Sequence, residues 1–193
     1  MKEEITIMNI KLDSLNSIDK KIRYSLHSDS FAYLADNPYE EFYEAEIKRA
    51  TNLSTGGVNK ALKDLSEAGL IIKKEKSKFR LYKFNIDNPI SRQYKVLLNL
   101  RRIWPFVSKY LNQKAEKIVL FGSAARGENL PDSDIDLFVI SREQKEINRI
   151  IGKSQWAETI QLILAGPAEV DDLDQKLSSE IDKGIVLWEK QND

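Results

Sequence analysis

The sequence predicts a mixed α/β (α+β) protein with two structural units in one chain. The first observation is a series of short helix signals followed by a hairpin signal between residues 28 and 84. The second is an apolar strand, a Gly-Ser turn, a loop and another strand between Lys117 and Ile140. The third is a long helix signal between these segments. Together they indicate a helical unit with a hairpin, connecting helices, and a mixed sheet flanked by helices.

Four segments follow from these patterns. We predict an amino-terminal arm at 1–27, a helical unit with a hairpin at 28–88, linker helices at 89–113 and a sheet unit at 114–193. Weak alternation from Glu4 to Leu12 predicts a strand in the arm, which could pair within the chain or across a homodimer. His27, the single histidine, has no neighbours of ligand type, so we expect a surface or packing role for it.

The composition is typical of a globular protein, since 41% of the 193 residues are hydrophobic and 31% are charged. The 30 basic and 30 acidic side chains cancel, so no overall positive charge favours nucleic acid. Nucleic-acid binding would therefore depend on local clusters of charge. Cysteine is absent, which excludes disulfides and thiolate metal sites and fits a reducing compartment.

No targeting or membrane segment is predicted. The first residues, Met1 to Ser14, carry acids and no sustained apolar core, unlike a signal peptide. The longest apolar runs span only a few residues, whereas a membrane helix needs about 20. A cytoplasmic location is therefore expected.

Three helix signals precede the hairpin in the first unit. They are Phe31, Leu34 and Ala35 at helical spacing before Asn37-Pro38, the segment Glu44–Thr51, and a segment from Ser54 to Ala68. Ser54 or Thr55 is expected to cap the third helix, and Gly69 to end it. Leu70-Ile71-Ile72 then starts a strand, and a hairpin of residues 70–75 and 79–84 is predicted. Two helices, a tight turn and a hairpin resemble the winged helix-turn-helix of prokaryotic regulators.

This resemblance implies binding of double-stranded DNA through the helix after the turn and through the hairpin, or wing. The recognition helix presents polar residue types that reach base edges or phosphates in a major groove: Thr55, Asn59, Lys60 and Lys63. The wing adds a cluster of positive charges suited to phosphates: Lys73, Lys74, Lys76 and Lys78. The alternative for the wing is a solvated hairpin whose lysines discourage aggregation at its edge.

The linker begins with Asn88-Pro89, a pattern typical of a helix start, and apolar residues repeat at helical spacing to about Ile103. Proline has no backbone N–H and disrupts a helix interior. We therefore predict that Trp104-Pro105 starts a second helical segment, which runs to Lys114. The aromatic residues of both segments are expected to form interdomain or dimer core.

Two carboxylates and a Gly-Ser pair form the candidate site of the second unit. Gly122 and Ser123 follow a buried strand, where bare backbone N–H groups can approach a phosphate. Asp134 and Asp136 are two residues apart on the next strand and share one face. At roughly 6 Å and an effective dielectric near 20, they would repel by about 2–3 kcal/mol. A divalent cation such as Mg²⁺ or Mn²⁺ would remove this cost.

These residues resemble the nucleotidyltransferase superfamily that includes DNA polymerase beta, most closely its minimal prokaryotic branch. Gly122-Ser123 and Asp134-Ile135-Asp136 match the superfamily pattern, and Ala125-Arg126-Gly127 matches the branch's usual continuation. The resemblance implies metal-dependent transfer of a nucleoside monophosphate from a nucleoside triphosphate. It assigns Gly122, Ser123 and Arg126 to the nucleotide, and Asp134 and Asp136 to metal and catalysis.

One position departs from the family pattern. Active members of the family use a third carboxylate on a later strand to help activate the acceptor hydroxyl. The next strand candidate here is Thr159–Ala165, and the aligned residue is Gln161, whose amide cannot take a proton. Glu158 or Glu169 could substitute, although each is expected to be solvated. This departure puts catalysis in doubt but leaves nucleotide and metal binding.

The remaining elements complete the sheet unit. They are a helix from Arg142 to Trp156, a turn at Gly166-Pro167, a helix from Asp171 to Asp182 and a strand from Gly184 to Trp188. Two functions follow. The first is an enzyme that transfers a nucleotide, often AMP in this family, to a hydroxyl on a protein or small molecule. The second is a DNA-binding regulator, or an antitoxin beside a toxin-like protein, whose second unit binds nucleotide or a partner without turnover.

Overall fold

The structure is a computed structural model that describes residues 28–76 and 79–191. The strand expected at Glu4–Leu12, the only histidine, His27, and the wing residue Lys78 lie outside the described residues. Among the described residues, no helix combines the length and the apolar character needed to cross a bilayer.

The first unit is a winged helix-turn-helix. Its elements are α1 (Ser28–Asp36), β1 (Phe42–Tyr43), α2 (Glu44–Thr51), α3 (Thr55–Glu67), β2 (Ile71–Lys76) and β3 (Phe79–Phe84). The three strands form an antiparallel sheet in the order β1-β3-β2. The helices and the hairpin confirm the sequence prediction. Strand β1 was not predicted, because two residues are too few to show a period of two.

Local capping sets the turn between α2 and α3. Asn52 ends α2 in the left-handed conformation, with φ of 56°, which asparagine tolerates better than most residues. Ser54 then caps α3, since its hydroxyl accepts a hydrogen bond from the Gly57 N–H. The apolar sides of the helices meet the inner face of the wing, where Phe84 is fully buried. The recognition helix α3 is thereby fixed against the hairpin.

The linker contains the long helix α4 (Pro89–Phe106), followed by a π-helical segment (Val107–Leu111). Asn88 caps α4 by accepting from the backbone N–H of Ile90 and of Ser91. The predicted break at Trp104-Pro105 is wrong, since α4 runs through Pro105 without ending. A proline removes one N–H from the helical ladder. Wider π-helical turns, such as the one closed by the Asn112 N–H and the Val107 carbonyl, follow directly after Phe106.

The second unit holds a four-stranded mixed sheet. Its elements are β4 (Lys117–Phe121), α5 (Gly122–Arg126), β5 (Ile135–Ile140), α6 (Gln144–Gly152), β6 (Ile160–Ala165), a 3₁₀ turn (Val170–Asp172), α7 (Gln175–Asp182) and β7 (Ile185–Glu189). The strand order is β6-β5-β4-β7. Among the described strands of this sheet, only the β5 and β6 pair is parallel, which agrees with the mixed sheet predicted.

Both faces of this sheet are covered. Ile118, Leu120 and Leu137 point to one face, where they pack with buried residues of α4, the π-helical segment and α6. Val119 and Phe121 alternate with them and pack on the other face near α7. Covering both faces explains why these strands read as nearly continuous apolar runs.

Two helices of the second unit are shorter than predicted. Helix α6 spans Gln144–Gly152 rather than 142–156, because the Ser141 hydroxyl accepts the Glu143 N–H and turns the chain before the helix. The predicted helix from 171 to 182 is also wrong over its first part. Asp174 accepts from the backbone N–H of Lys176 and of Leu177, so it caps α7 instead of lying within it.

Candidate functional site

The site begins directly after β4, at Gly122, which has φ of +67°. A Cβ at this position would lie 1.9 Å from Oδ2 of Asp136 and 2.8 Å from its Cγ. Only glycine fits both the backbone conformation and the space. The Asp136 carboxylate therefore lies directly against the backbone of the Gly-Ser turn, and the structure brings these two predicted site residues together.

Asp136 lies on β5 in register with Phe121, the last residue of β4. Partial burial raises the pKa of the Asp136 carboxyl above its ordinary value, and the negative charge of Asp134 raises it further. Arg126 opposes this effect. Asp134 precedes the strand and is exposed. The carboxylate pair is thus arranged so that bound positive charge would stabilise its ionised form.

Ser123 lies in α5, which is only one turn long and ends at Gly127 in the left-handed conformation. Because this helix has only five residues, its backbone N–H groups, rather than a long helix dipole, would bind a phosphate. The Ser123 carbonyl accepts from the Glu128 N–H at 2.9 Å. This bond folds the following loop back onto the turn.

Arg126 already has two acidic partners. Its Nε donates to Glu128 at 2.8 Å and its Nη1 donates to Glu180 at 3.2 Å. The bond to Glu128 raises the pKa of the guanidinium above its ordinary value. Because Arg126 is exposed, it could exchange these carboxylates for phosphate, but it would first have to release them.

The third carboxylate position is occupied by an amide. Strand β6 runs parallel to β5, and Gln161 is the residue paired with Asp136. Glu169 cannot replace it, because it lies beyond the opposite end of β6. There it accepts from the Gly166 N–H and the Gln144 amide, which together lower the pKa of its carboxyl. Glu158 is exposed in the turn before β6.

A divalent metal fits the carboxylate pair only with help from a substrate. In the part of the chain that the structure describes, no group of three or more His, Cys, Asp or Glu residues could hold a metal ion. Mg²⁺ needs only one or two protein carboxylates when phosphates and waters fill its other positions. Asp134 and Asp136 beside the Gly122 backbone match that requirement.

The loop between the Gly-Ser turn and Asp134 rests on α4. Asn99 donates to the Ala124 carbonyl and to Oδ1 of Asn129, both at 2.8 Å, and Lys95 donates to the Asn129 carbonyl. At Gly127 a Cβ would lie 2.4 Å from the Arg92 carbonyl oxygen. The sequence interpretation missed these contacts, although two polar residues at i and i+4 within an apolar stripe are a signal that could have indicated them.

On the winged-helix unit, the predicted DNA contacts of α3 form an exposed group. Thr55, Asn59, Lys60 and Lys63 are all exposed. Two of these residues have partners: Thr55 accepts from Lys48 at 2.7 Å, and Lys63 lies 3.8 Å from Glu67. The exposed Lys48 thus joins the start of the recognition helix, a contact that the sequence interpretation did not include.

The wing lysines do not share one face. Lys73 pairs with Tyr82, whose side chain is buried on the inner face, and lies 3.1 Å from Glu75. Lys74 and Lys76 point to the opposite, outer face. Lys74 is ion-paired with Glu41. The basic cluster read from the sequence is therefore divided between two faces and partly neutralised.

Comparison with known families found a match to the family model described as Nucleotidyltransferase domain, over residues 100–187. This segment includes the Gly-Ser turn, both aspartates and Gln161. No curated protein matches the chain.

Solved structures similar to the chain include a nucleotidyltransferase candidate from Sulfolobus solfataricus, at 19% identity and a TM-score of 0.37, which covers 55% of this chain and 94% of that one. A mutant of Lactococcus lactis ZitR in its apo form shows 20% identity and a TM-score of 0.36, covering 52% and 81%. The transcriptional regulator BldR from Sulfolobus solfataricus shows 20% identity and a TM-score of 0.34, covering 55% and 89%.

Proposed function

We propose a function for this protein on the basis of residues 100–187, which form a nucleotidyltransferase domain. The domain transfers a nucleoside monophosphate, most simply AMP from ATP, to a hydroxyl group on a protein or small molecule. The observation that carries this proposal is the Asp136 carboxylate lying against Gly122 and beside Asp134. That arrangement places a phosphate cradle after β4 next to a metal-binding pair at the start of β5.

Each residue has a distinct role in this proposal. The backbone N–H groups at Gly122 and Ser123 bind the triphosphate, and Arg126 exchanges its acidic partners for phosphate oxygens. Asp134 and Asp136 would hold Mg²⁺ or Mn²⁺, which would neutralise charge on the triphosphate. The acceptor oxygen bonds to the α-phosphorus, the α–β phosphoanhydride bond breaks, pyrophosphate leaves, and the hydroxyl proton passes to solvent water. Gln161 can orient the acceptor hydroxyl but cannot take its proton.

The test is label transfer from ATP that carries radioactive α-phosphate, in the presence of Mg²⁺ and the product of the neighbouring gene. We expect labelled acceptor and released pyrophosphate, with a matching mass increase on the acceptor. The Asp136→Asn variant serves as the control and should transfer nothing. Absence of label on the acceptor and on the chain itself, while ATP is bound, would reject transfer.

A second candidate function is supported by Gln161. Because this amide takes the third carboxylate position beside Asp136, the domain would bind a nucleotide without turnover and act as a sensor for the winged-helix unit. Nucleotide binding with no pyrophosphate release distinguishes the sensor from the enzyme.

Double-stranded DNA is the proposed partner of the winged-helix unit in either case. The exposed group on α3 and the basic residues of the wing support this. A toxin-like protein partner, a homodimer and a cytoplasmic location are further parts of the proposal. Co-purification of the chain with its gene neighbour, together with its mass in solution, tests the protein partners.

A further inference from the structure

Helix α4 carries two polar side chains on its buried face, Lys95 and Asn99. Lys95 is only 1% exposed and Asn99 is 7% exposed. They are four residues apart, so they point the same way from the helix. Burying an ammonium group is costly unless it is paired or hydrogen-bonded. The contacts of these residues indicate what their role is.

Towards the second unit, both side chains hold the loop of the proposed nucleotide site. Asn99 uses both hydrogens of its amide, one for the Ala124 carbonyl and one for Oδ1 of Asn129. Lys95 donates to the Asn129 carbonyl. Ala124 directly follows Ser123 in the proposed phosphate cradle. The two residues therefore fix the loop at its start and near its middle.

Towards the first unit, Lys95 Nζ lies 6.0 Å from the centroid of the Phe84 ring, within the range of a cation–π interaction. Phe84 is the last residue of the wing strand β3 and is fully buried in the winged-helix core. Lys95 therefore contacts the core of the winged-helix unit and the loop of the second unit. Its hydrogen-bond acceptor is a carbonyl, and the charges of Asp36 and Arg102, which pair with each other at 2.6 Å, also act on it.

The start of α4 is also bonded to the end of the recognition helix. The Ser91 hydroxyl donates to the Leu70 carbonyl at 3.0 Å, and the Asn88 amide donates to the Gly69 carbonyl at 3.0 Å. Gly69 and Leu70 follow α3 in the chain after its C-cap residue, Ala68. A displacement of α3 on DNA would therefore act on α4 at its first turn, two turns before Lys95.

We propose that Lys95 and Asn99 are positioning residues that link the two sites, so that a metal-bound triphosphate raises the affinity for DNA and DNA raises the affinity for the triphosphate. The inference rests on the proposed function, since it needs both ligands. A bound triphosphate orders the loop at Asn129, the loop holds Lys95 against Phe84, and α4 holds the end of α3. The ordering needed for DNA is then already present when DNA binds.

Because binding at the two sites is linked, the effect is reciprocal. The factor measured with one ligand therefore checks the factor measured with the other. Each ligand must change the dissociation constant of the other by the same factor, which is typically about 5- to 150-fold for coupled sites. The DNA probe is a fluorescein-labelled duplex of mixed sequence at low salt, followed by anisotropy. The nucleotide probe is the α,β-methylene analogue of ATP with Mg²⁺, because it cannot be cleaved at the reacting bond.

We expect the saturating Mg²⁺-analogue to tighten DNA binding of the full wild-type chain by about fivefold or more. In Lys95→Met and in Asn99→Ala this factor should fall to about one. The matched control is Lys109→Met, since Lys109 is also a lysine over an aromatic ring, at 4.8 Å from Tyr110, but is exposed. It should keep the wild-type factor. Lys95→Arg should restore part of it.

The outcomes separate the inference from its premise. The coupling is wrong, and the proposed function stands, if wild type binds both probes with no mutual effect. The same holds if Lys95→Met and Asn99→Ala both keep the full factor. If wild type does not bind the Mg²⁺-analogue at all, the nucleotide site itself is wrong, and the coupling is overturned with it. A variant that is only less stable would bind both ligands more weakly but would keep the factor by which the analogue tightens DNA binding. A merely structural role is therefore also distinguished.

Discussion

Gln161 stands directly opposite Asp136 on the neighbouring parallel strand. Residues paired in this way project from the same face of a sheet, so the amide and the carboxylate are neighbours. The amide can donate and accept hydrogen bonds but cannot accept a proton from an acceptor hydroxyl. The chemistry of this residue therefore distinguishes the two candidate functions of the nucleotidyltransferase domain.

Gln161→Asp should increase nucleotide transfer, because a carboxylate beside Asp136 could accept the proton of the attacking hydroxyl or share the metal. Positioned acid–base groups contribute about 10²- to 10⁴-fold, so we expect a gain on the order of 10² in the initial rate of pyrophosphate release. Gln161→Asn, with the same polarity and no charge, should give no gain. An inactive Gln161→Asp that still binds Mg-ATP would mean that the site binds nucleotide without catalysis.

Asp136→Asn should be at least as thermally stable as wild type without ligand, and less stable than wild type with Mg-ATP. Without metal, the variant should melt at or above the wild-type temperature, because it removes a partly buried charge that Asp134 repels. With Mg-ATP at about a hundred times its dissociation constant, only wild type should gain about 2.7 kcal/mol. Calorimetry of both proteins measures this. A wild-type melting temperature that Mg-ATP does not move would contradict the nucleotide site.

Gly122→Ala should abolish nucleotide binding and destabilise the fold. The new Cβ would lie 1.9 Å from the Asp136 carboxylate at a φ of +67°, so the turn, the carboxylate or both must move. We expect a loss of about 1–3 kcal/mol in the free energy of unfolding. Gly152→Ala is the control, because a Cβ there meets nothing within 4 Å. Urea unfolding and titration with Mg-ATP test both variants.

Replacing Lys73, Lys74, Lys76 and Lys78 with alanine should weaken binding to all duplexes alike. Lysines that neutralise phosphates release counterions, so each lost contact should reduce the slope of log affinity against log salt by about 0.9. Anisotropy titrations at several salt concentrations measure this slope. The control replaces four exposed lysines elsewhere, which changes the net charge equally: Lys109, Lys145, Lys153 and Lys190. Identical slopes for the two variants would remove the wing from the DNA-binding surface.

Lys95 should make stability depend on pH between about 8 and 10.4. Burial lowers the pKa of its ammonium to about 8, whereas the unfolded chain keeps the proton to about pH 10.4. Across that window the unfolded state binds more protons, so the free energy of unfolding rises with pH, by up to about 3 kcal/mol. Lys95→Met should lose this rise. Denaturant unfolding of both proteins at pH 7 and at high pH checks the difference, since other titrating groups are common to both.

Local patterns predicted most of the fold because local rules determine those elements. Short apolar runs and the alternation after Asp134 placed β4, β5 and β6 within a residue or two. The capping signals at Ser54, Asn88 and Gly69 were read correctly. The nucleotidyltransferase domain and the winged helix were recognised from such local motifs.

Contacts between distant segments could not be read in the same way. The partners of Lys95 and Asn99 lie about 30 residues along the chain, and no local period encodes such a bond. Pro105 misled the interpretation because it lies one residue before the end of α4, and the chain continues as π-helical turns instead of breaking. Glu169 was an open alternative only until the strand direction placed it at the far end of β6.

The close approach of Gly127 to the Arg92 carbonyl limits how segments of such chains could be exchanged to make hybrid proteins. With a Cβ only 2.4 Å from that oxygen, the loop and α4 fit each other as backbone against backbone, and neither surface can be exchanged alone. A chimaera that joins this sheet to the connecting helix of another protein would have to reproduce that bare contact. The transferable segment is therefore α4 together with the sheet, and hybrid junctions are best placed before Asn88.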